Sequence, residues 1–153
     1  MGGFESVLLT FLPEQRVMQN PAAAQLFHCK PRNHYVAAVF ISSDVVLFMD
    51  SLNPGKEPSK EVRKQIEACF TLKKKYSLRS ALVQKQRLCD CLPFAVANID
   101  MVLSGGDVTK IRFDNRTLRS NLVKSFLNNE LYFPFQKCKS RGDAVVFSNK
   151  VSK

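Results

Sequence analysis

The sequence predicts a single globular unit that mixes strands with helices, and three observations carry that expectation. Residues 35–41 and 45–49 are almost wholly apolar and rich in β-branched side chains, with only Ser42-Ser43-Asp44 between them. Short runs of this kind, bounded by polar turns, read as strands. Residues 58–70 and 91–103 instead space their apolar positions as helices do. Finally, 153 residues with 45% hydrophobic content can bury a core without disulfide or metal staples.

Taken in order, residues 24–29 read as a short strand closed by the turn cluster Lys30-Pro31-Arg32-Asn33. Residues 35–41 and 45–49 follow as a hairpin buried on both faces. His34 stands at the start of one strand and Asp50 at the end of the other, so an antiparallel pairing sets them side by side. Residues 50–55 form a turn. A surface helix over 58–70 turns Val62, Ile66, Cys69 and Phe70 inward. Residues 80–83 read as another short strand, and 84–90 as a loop. The next helix, 91–103, presents Phe94, Ala95, Ala97, Asn98, Met101 and Val102 and stops at Gly105-Gly106. Asp90 is its expected N-cap, and Pro93 is tolerated in the first turn. Asp114 is expected to cap a second amphipathic helix with Leu118, Leu122, Phe126 and Leu127 on one face. From 137 onward the chain is basic and short of core residues apart from 144–147, and it is expected to be partly loose. No repeat or linker divides it.

Twenty-three Lys and Arg against thirteen Asp and Glu give a net charge of +10. That favours an acidic partner, whether an acidic protein surface, nucleic acid or anionic lipid. The five cysteines, Cys29, Cys69, Cys89, Cys91 and Cys138, are odd in number and follow no secretory signal, which points to a reducing compartment. No apolar run approaches the ~20 residues of a membrane helix, so a soluble protein of the nucleus or cytoplasm is expected. Met1-Gly2-Gly3-Phe4-Glu5-Ser6 fits the myristoylation pattern, a short motif that chance supplies readily. Cys89 and Cys91 lack the second pair that a four-ligand zinc site needs, so no metal or cofactor is expected.

The residues that carry chemistry are Cys91, His34 and Asp50. A thiol attacks as the thiolate, and a helix start favours that charge. Cys91 has that position. His34 beside Asp50 supplies a base with an orienting carboxylate, provided the Cys91 helix sets its N-terminus against that end of the sheet. Attack on a carbonyl also needs oxyanion donors, for which Gln84 and Gln86 are the candidates. Each residue has a plainer reading. His34 alone is a structural histidine, Asp50 alone an Asx-turn residue, and a free Cys most often packs in a core. Their order along the chain raises the catalytic reading above these.

The segments Gln25-Leu26-Phe27-His28, Asn33-His34-Tyr35-Val36, Met49-Asp50-Ser51-Leu52-Asn53, Gln84-Lys85-Gln86 and Asp90-Cys91-Leu92-Pro93-Phe94-Ala95 together resemble the ubiquitin-like-modifier protease family (Ulp, or sentrin/SUMO-specific proteases). Its motifs run His-Trp, Asp-Ser-Leu, Gln, Asp-Cys-Gly-x-Phe in the same order. Phe113-Asp114, Leu118-Arg119-Ser120-Asn121-Leu122 and Pro134-Phe135 are similar to the closing segments of its invertebrate, transposon-associated branch. The resemblance spans 3–136 and implies an α+β, papain-like (adenain-like) cysteine protease fold, a mixed β-sheet packed against helices with the catalytic Cys at a helix N-terminus. Residues 1–136 would form the catalytic domain, lacking the usual amino-terminal helices, and 137–153 a basic tail.

By matching motif, His34 would be the base, Asp50 its orienter, Cys91 the nucleophile and Gln86 the oxyanion donor. Tyr35 and Leu92 would line the substrate. The partner implied is a SUMO-like modifier or its conjugates, cleaved after the terminal Gly-Gly by a monomeric enzyme. The chain departs from the pattern in Tyr35 for Trp, in Leu92 for the Gly after Cys, and in a Gln86 to Cys91 spacing one residue short of the usual six. A pseudo-protease that only binds a modifier or an acidic partner is therefore the alternative, and a basic nucleic-acid-binding module the next.

Overall fold

The computed structural model describes residues 23–70, 72 and 75–151. The myristoylation pattern, the reduced amino-terminal helix and Lys73 and Lys74 lie outside the described residues. The expected meander appears as β1 (Ala23–Cys29), β2 (His34–Ser42) and β3 (Val45–Met49), antiparallel throughout, with Leu26 opposite Ala37 and Ala37 opposite Met49. The β2–β3 turn is tighter than expected, because Ser42 pairs with Val45 across a register shift after Phe40.

Alternation along β2 explains why the run lacks polar interruptions. Val36, Ala38 and Phe40 face one hydrophobic cluster with Val46 and Phe48, while Ala37 and Val39 face a second cluster with Met49. Both faces are covered, so every position is apolar. The first face is covered by α1 (Lys60–Cys69), through Val62, Ile66 and Cys69. The helix begins where the Ser59 side chain accepts from the Val62 N–H at 3.3 Å and ends as Phe70 turns extended.

Helix α1 is the crossover between β3 and β4 (Lys75–Ser80), which pair in parallel. The strand expected over 80–83 thus lies earlier. Tyr76, Leu78 and Ser80 alternate inward, and the charged Lys75 and Arg79 between them hide the pattern. Ala81 and Val83 are buried without being strand.

The opposite face carries α2 (Cys91–Leu103), whose Phe94, Ala95, Ala97, Ile99 and Met101 pack against β1 and β2. Gly105, at φ +79°, turns the chain after it. A ribbon of β5 (Ile111–Phe113) and β6 (Phe135–Lys137) and the helix α3 (Leu118–Asn128) complete that side. Asp114 is not the α3 cap. Thr117 holds that place, and Asp114 instead accepts from the Arg116 amide at 3.0 Å and from its guanidinium. Nor do Phe126 and Leu127 share the buried face, since Leu118, Asn121, Leu122 and Ser125 turn inward and the two large residues stand exposed.

The basic tail after 137, expected to be partly loose, contributes a strand to the sheet. Strand β7 (Val145–Lys150) pairs antiparallel with β4, giving a five-stranded mixed sheet in the order β1-β2-β3-β4-β7. Arg141 fastens the approach to it, donating to the carbonyls of Val108, Thr109 and Ile111 at 3.3, 3.1 and 2.9 Å. The chain is a mixed α+β fold. Among the described residues, no helix is long and apolar enough to cross a membrane.

Phe94 is fully buried and meets Phe113 edge to face at 6.4 Å. Phe94→Ala should cost about 3–5 kcal/mol in urea unfolding. Phe126→Ala, on the exposed side of α3, should stay within about 0.5 kcal/mol of the natural chain. Equal losses would contradict the packing.

Candidate active site

His34 opens β2 where the strand runs beyond its pairing with β3, and Asp50 is the first residue after β3. That offset puts the two side chains diagonally across the hairpin end, with His34 Nε2 and Asp50 Oδ1 2.7 Å apart and both residues buried. The same oxygen accepts from the Leu52 N–H at 2.8 Å and the Asn53 N–H at 3.2 Å. Asp50 is therefore both the Asx-turn residue and the partner of the imidazole.

Burial pushes the Asp50 carboxyl up, but the hydrogen bond and charge of His34, with the Asn53 and Leu52 amides, more than offset this and leave it below its ordinary value of 3.8. An ionised carboxylate only accepts, so Nε2 carries the ring proton. In the neutral ring Nδ1 then holds a lone pair and can take a proton from elsewhere.

Cys91 is the first residue of α2 and is partly exposed. Asp90 occupies the N-cap position, yet its side chain makes no capping bond to α2. Arg119 has taken it instead: Nε donates to Asp90 Oδ1 at 2.6 Å and Nη2 to the Cys89 carbonyl at 3.0 Å. Asp90 raises the pKa of Arg119, first by the hydrogen bond and then by charge, with smaller contributions from Cys89 and Cys91. A cation thus stands in the electrostatic reach of Cys91, and the N-cap side chain makes no hydrogen bond to the amide end of its helix. Sequence reasoning missed Arg119, since an arginine in the first turn of a surface helix carries no signal for a contact with a loop near residue 90.

The two glutamines differ. Gln84 is buried, its Oε1 accepting from the Phe113 N–H at 2.8 Å and its Nε2 donating to the Phe113 carbonyl and Asn115 Oδ1. Both amide protons are used in clamping the loop to β5. Gln86 reaches the Asp50 turn: its backbone N–H donates to the Ser51 carbonyl at 2.8 Å and its Oε1 accepts from Ser51 Oγ at 2.6 Å. Its Nε2 donates one proton to the Leu88 carbonyl at 2.6 Å, and a primary amide has a second.

Tyr35 lies on the α2 side of β2 by strand alternation and stacks on His28, the residue opposite it in β1, with centroids 4.6 Å apart. Leu92 is partly buried against the α2-side cluster, which draws its side chain toward the core. Of the residues singled out by sequence, His34 and Asp50 are in contact, and Gln86 is tied to the residue after Asp50. No hydrogen bond joins the Cys91 thiol to the His34 ring.

Leu88 is held at φ +39° and is 91% exposed. A left-handed leucine costs about 1–2 kcal/mol, and this one sits in the loop between Gln86 and Cys91. Leu88→Gly should leave stability unchanged or raise it by up to about 1 kcal/mol, since glycine relieves the strain at some cost in chain entropy. A clear loss of stability in chemical unfolding would contradict the strain.

The Asp50 carboxyl is depressed in the folded state. The stability it contributes is present above its unfolded value and is lost as pH falls through the folded one. Asp50→Asn should therefore flatten the acid limb of the pH–stability profile below about pH 4. Parallel acid limbs for the two proteins would rule out the depressed carboxyl.

No family model and no curated protein matches this chain, which leaves His34, Asp50 and Cys91 themselves as the ground for assigning chemistry.

Proposed function

We propose that the chain is a cysteine-type peptidase of the ubiquitin-like-protease kind, acting after the C-terminal Gly-Gly of a SUMO-like modifier. The observation that carries the reading is the buried His34–Asp50 pair at 2.7 Å, which leaves Nδ1 as the proton-accepting nitrogen. The Cys91 thiol gives its proton to Nδ1, and the thiolate adds to the Gly carbonyl. The oxyanion is met by the N–H groups at the start of α2 and by the remaining proton of Gln86 Nε2. Collapse expels the amine, which takes the proton from the imidazolium and leaves a thioester on Cys91. Water, deprotonated by His34, then hydrolyses the thioester and returns the thiol. Asp50 stays ionised and holds the ring in its tautomer.

A pseudo-protease that retains only modifier binding is the second reading. It is favoured by the missing thiol–imidazole hydrogen bond and by the Gln86 amide being held to Ser51 and the Leu88 carbonyl. Full activity requires the loop over 86–90 to adjust, and apo geometry of this kind commonly tightens only with substrate bound.

SUMO-like probes ending in an electrophilic warhead should form a covalent adduct on Cys91, located by peptide mass spectrometry and absent in Cys91→Ser. His34→Ala should lower the labelling or turnover rate by roughly 10²–10⁴-fold. Failure of every modifier probe on folded protein would sink the peptidase reading. Activity gained only when Leu92→Gly is combined with one residue inserted before Cys91 would establish the pseudo-protease.

A further inference from the structure

A cavity of about 690 Å³ opens between β5, the turn before α3 and the start of β6, lined among others by Arg87, Arg112 and Arg116. We infer that this cavity binds a short acidic peptide segment through its arginines. The site lies outside the catalytic constellation, and binding there does not depend on the peptidase reading.

The charge at the cavity is unbalanced. Its acidic lining residue, Asp114, is already held by Arg116 at 2.9 Å. Among the described residues Arg87 and Arg112 have no ion pair, and both are exposed. Two uncommitted guanidinium groups at one concavity suit carboxylates, which arginine grips in a bidentate fork. The remaining walls suit a peptide. Asn115 and Gln136 offer side-chain amides, and Phe135, half exposed, gives an apolar surface beside them. A volume of this size accommodates several residues rather than one small anion. Nucleic acid fits less well, because stacking of successive bases needs a row of exposed rings, whereas Phe113 is buried and leaves Phe135 alone.

The cavity wall is also joined to the loop that leads to Cys91. Gln84 donates to Asn115 Oδ1 at 3.2 Å, and Arg87 comes from that loop. If the peptidase reading holds, an acidic stretch flanking the scissile bond is the natural occupant.

The test uses fluorescein-labelled hexaglutamate and the full chain, with anisotropy read at low and moderate salt. Binding should weaken with salt and by about ten-fold in Arg87→Gln/Arg112→Gln. Lys60→Gln/Lys64→Gln removes the same charge from α1 and should leave binding unchanged. A titration of isotopically labelled natural chain should move the amide signals of residues 112–117 and 135–137, which reads the site without any variant. Equal weakening in both double variants, or shifts confined to other residues, would overturn the proposal. Tighter binding of a single-stranded oligothymidine than of hexaglutamate to the same residues would overturn it in favour of a phosphate backbone.

Discussion

A hairpin buried on both faces tolerates one register, because a slip of a single residue exchanges the contents of the two cores. In β2 and β3 that register sets Ala37 opposite Met49, and its consequence lies at the open end of the hairpin. There β2 runs past its partner, and His34 meets the first residue of the turn after β3. The geometry of the pair is thus inherited from hydrophobic packing several residues away. Asp50 in turn holds two amides of its own turn, so the carboxylate that orients the imidazole also shapes the backbone carrying Ser51, to which Gln86 is bound.

The hairpin was legible in the sequence because burial on both faces leaves an unbroken apolar run, and α2 because its apolar content and terminal glycines agree. Strand β4 was not, since Lys75 and Arg79 on its outward side outweigh Tyr76 and Leu78 in any reading by composition. Strand β7 gives still less signal, as Val145 and Val146 stand exposed and the strand exists through its ladder with β4. For α3 the sequence offers two adjoining apolar edges. Contact with α2 selects the one with Leu118 and Leu122 and leaves Val123, Phe126 and Leu127 to solvent. The His34–Asp50 contact could be read from hairpin topology. The choice between Gln84 and Gln86 could not, because it depends on β5, which comes later in the chain.

The start of α2 shows a local preference being overridden. An Asp at the N-cap position stabilises a helix by about 1 kcal/mol when its oxygen accepts a first-turn amide, and Pro93 already removes one donor there. Asp90 nevertheless turns to Arg119. The helix forgoes a cap, the amide end beside Cys91 stays clear of a competing carboxylate, and a guanidinium is held against the same loop. A carboxylate at the amide end would oppose negative charge on the neighbouring sulfur or on an oxyanion. Its diversion is consistent with an anionic species forming there, and equally with a helix stabilised mainly by its packing on β1 and β2.

The loop between the two glutamines links these parts. Gln84 is fixed to β5 by two hydrogen bonds and to Asn115 by a third, and Gln86 to the Asp50 turn, so the chain from 87 to 90 must span a set distance before α2 begins. The span is closed with Leu88 in the left-handed region, and its carbonyl takes a proton of Gln86. The strained residue and the carbonyl that holds Gln86 are thus one and the same, and the amide engaged is the one the proposed chemistry would turn to an oxyanion. The strain is confined to a few residues before Cys91, while the packing that sets His34 against Asp50 lies elsewhere. That division is what physical chemistry expects where a loop carries part of a site and packed elements carry its scaffold.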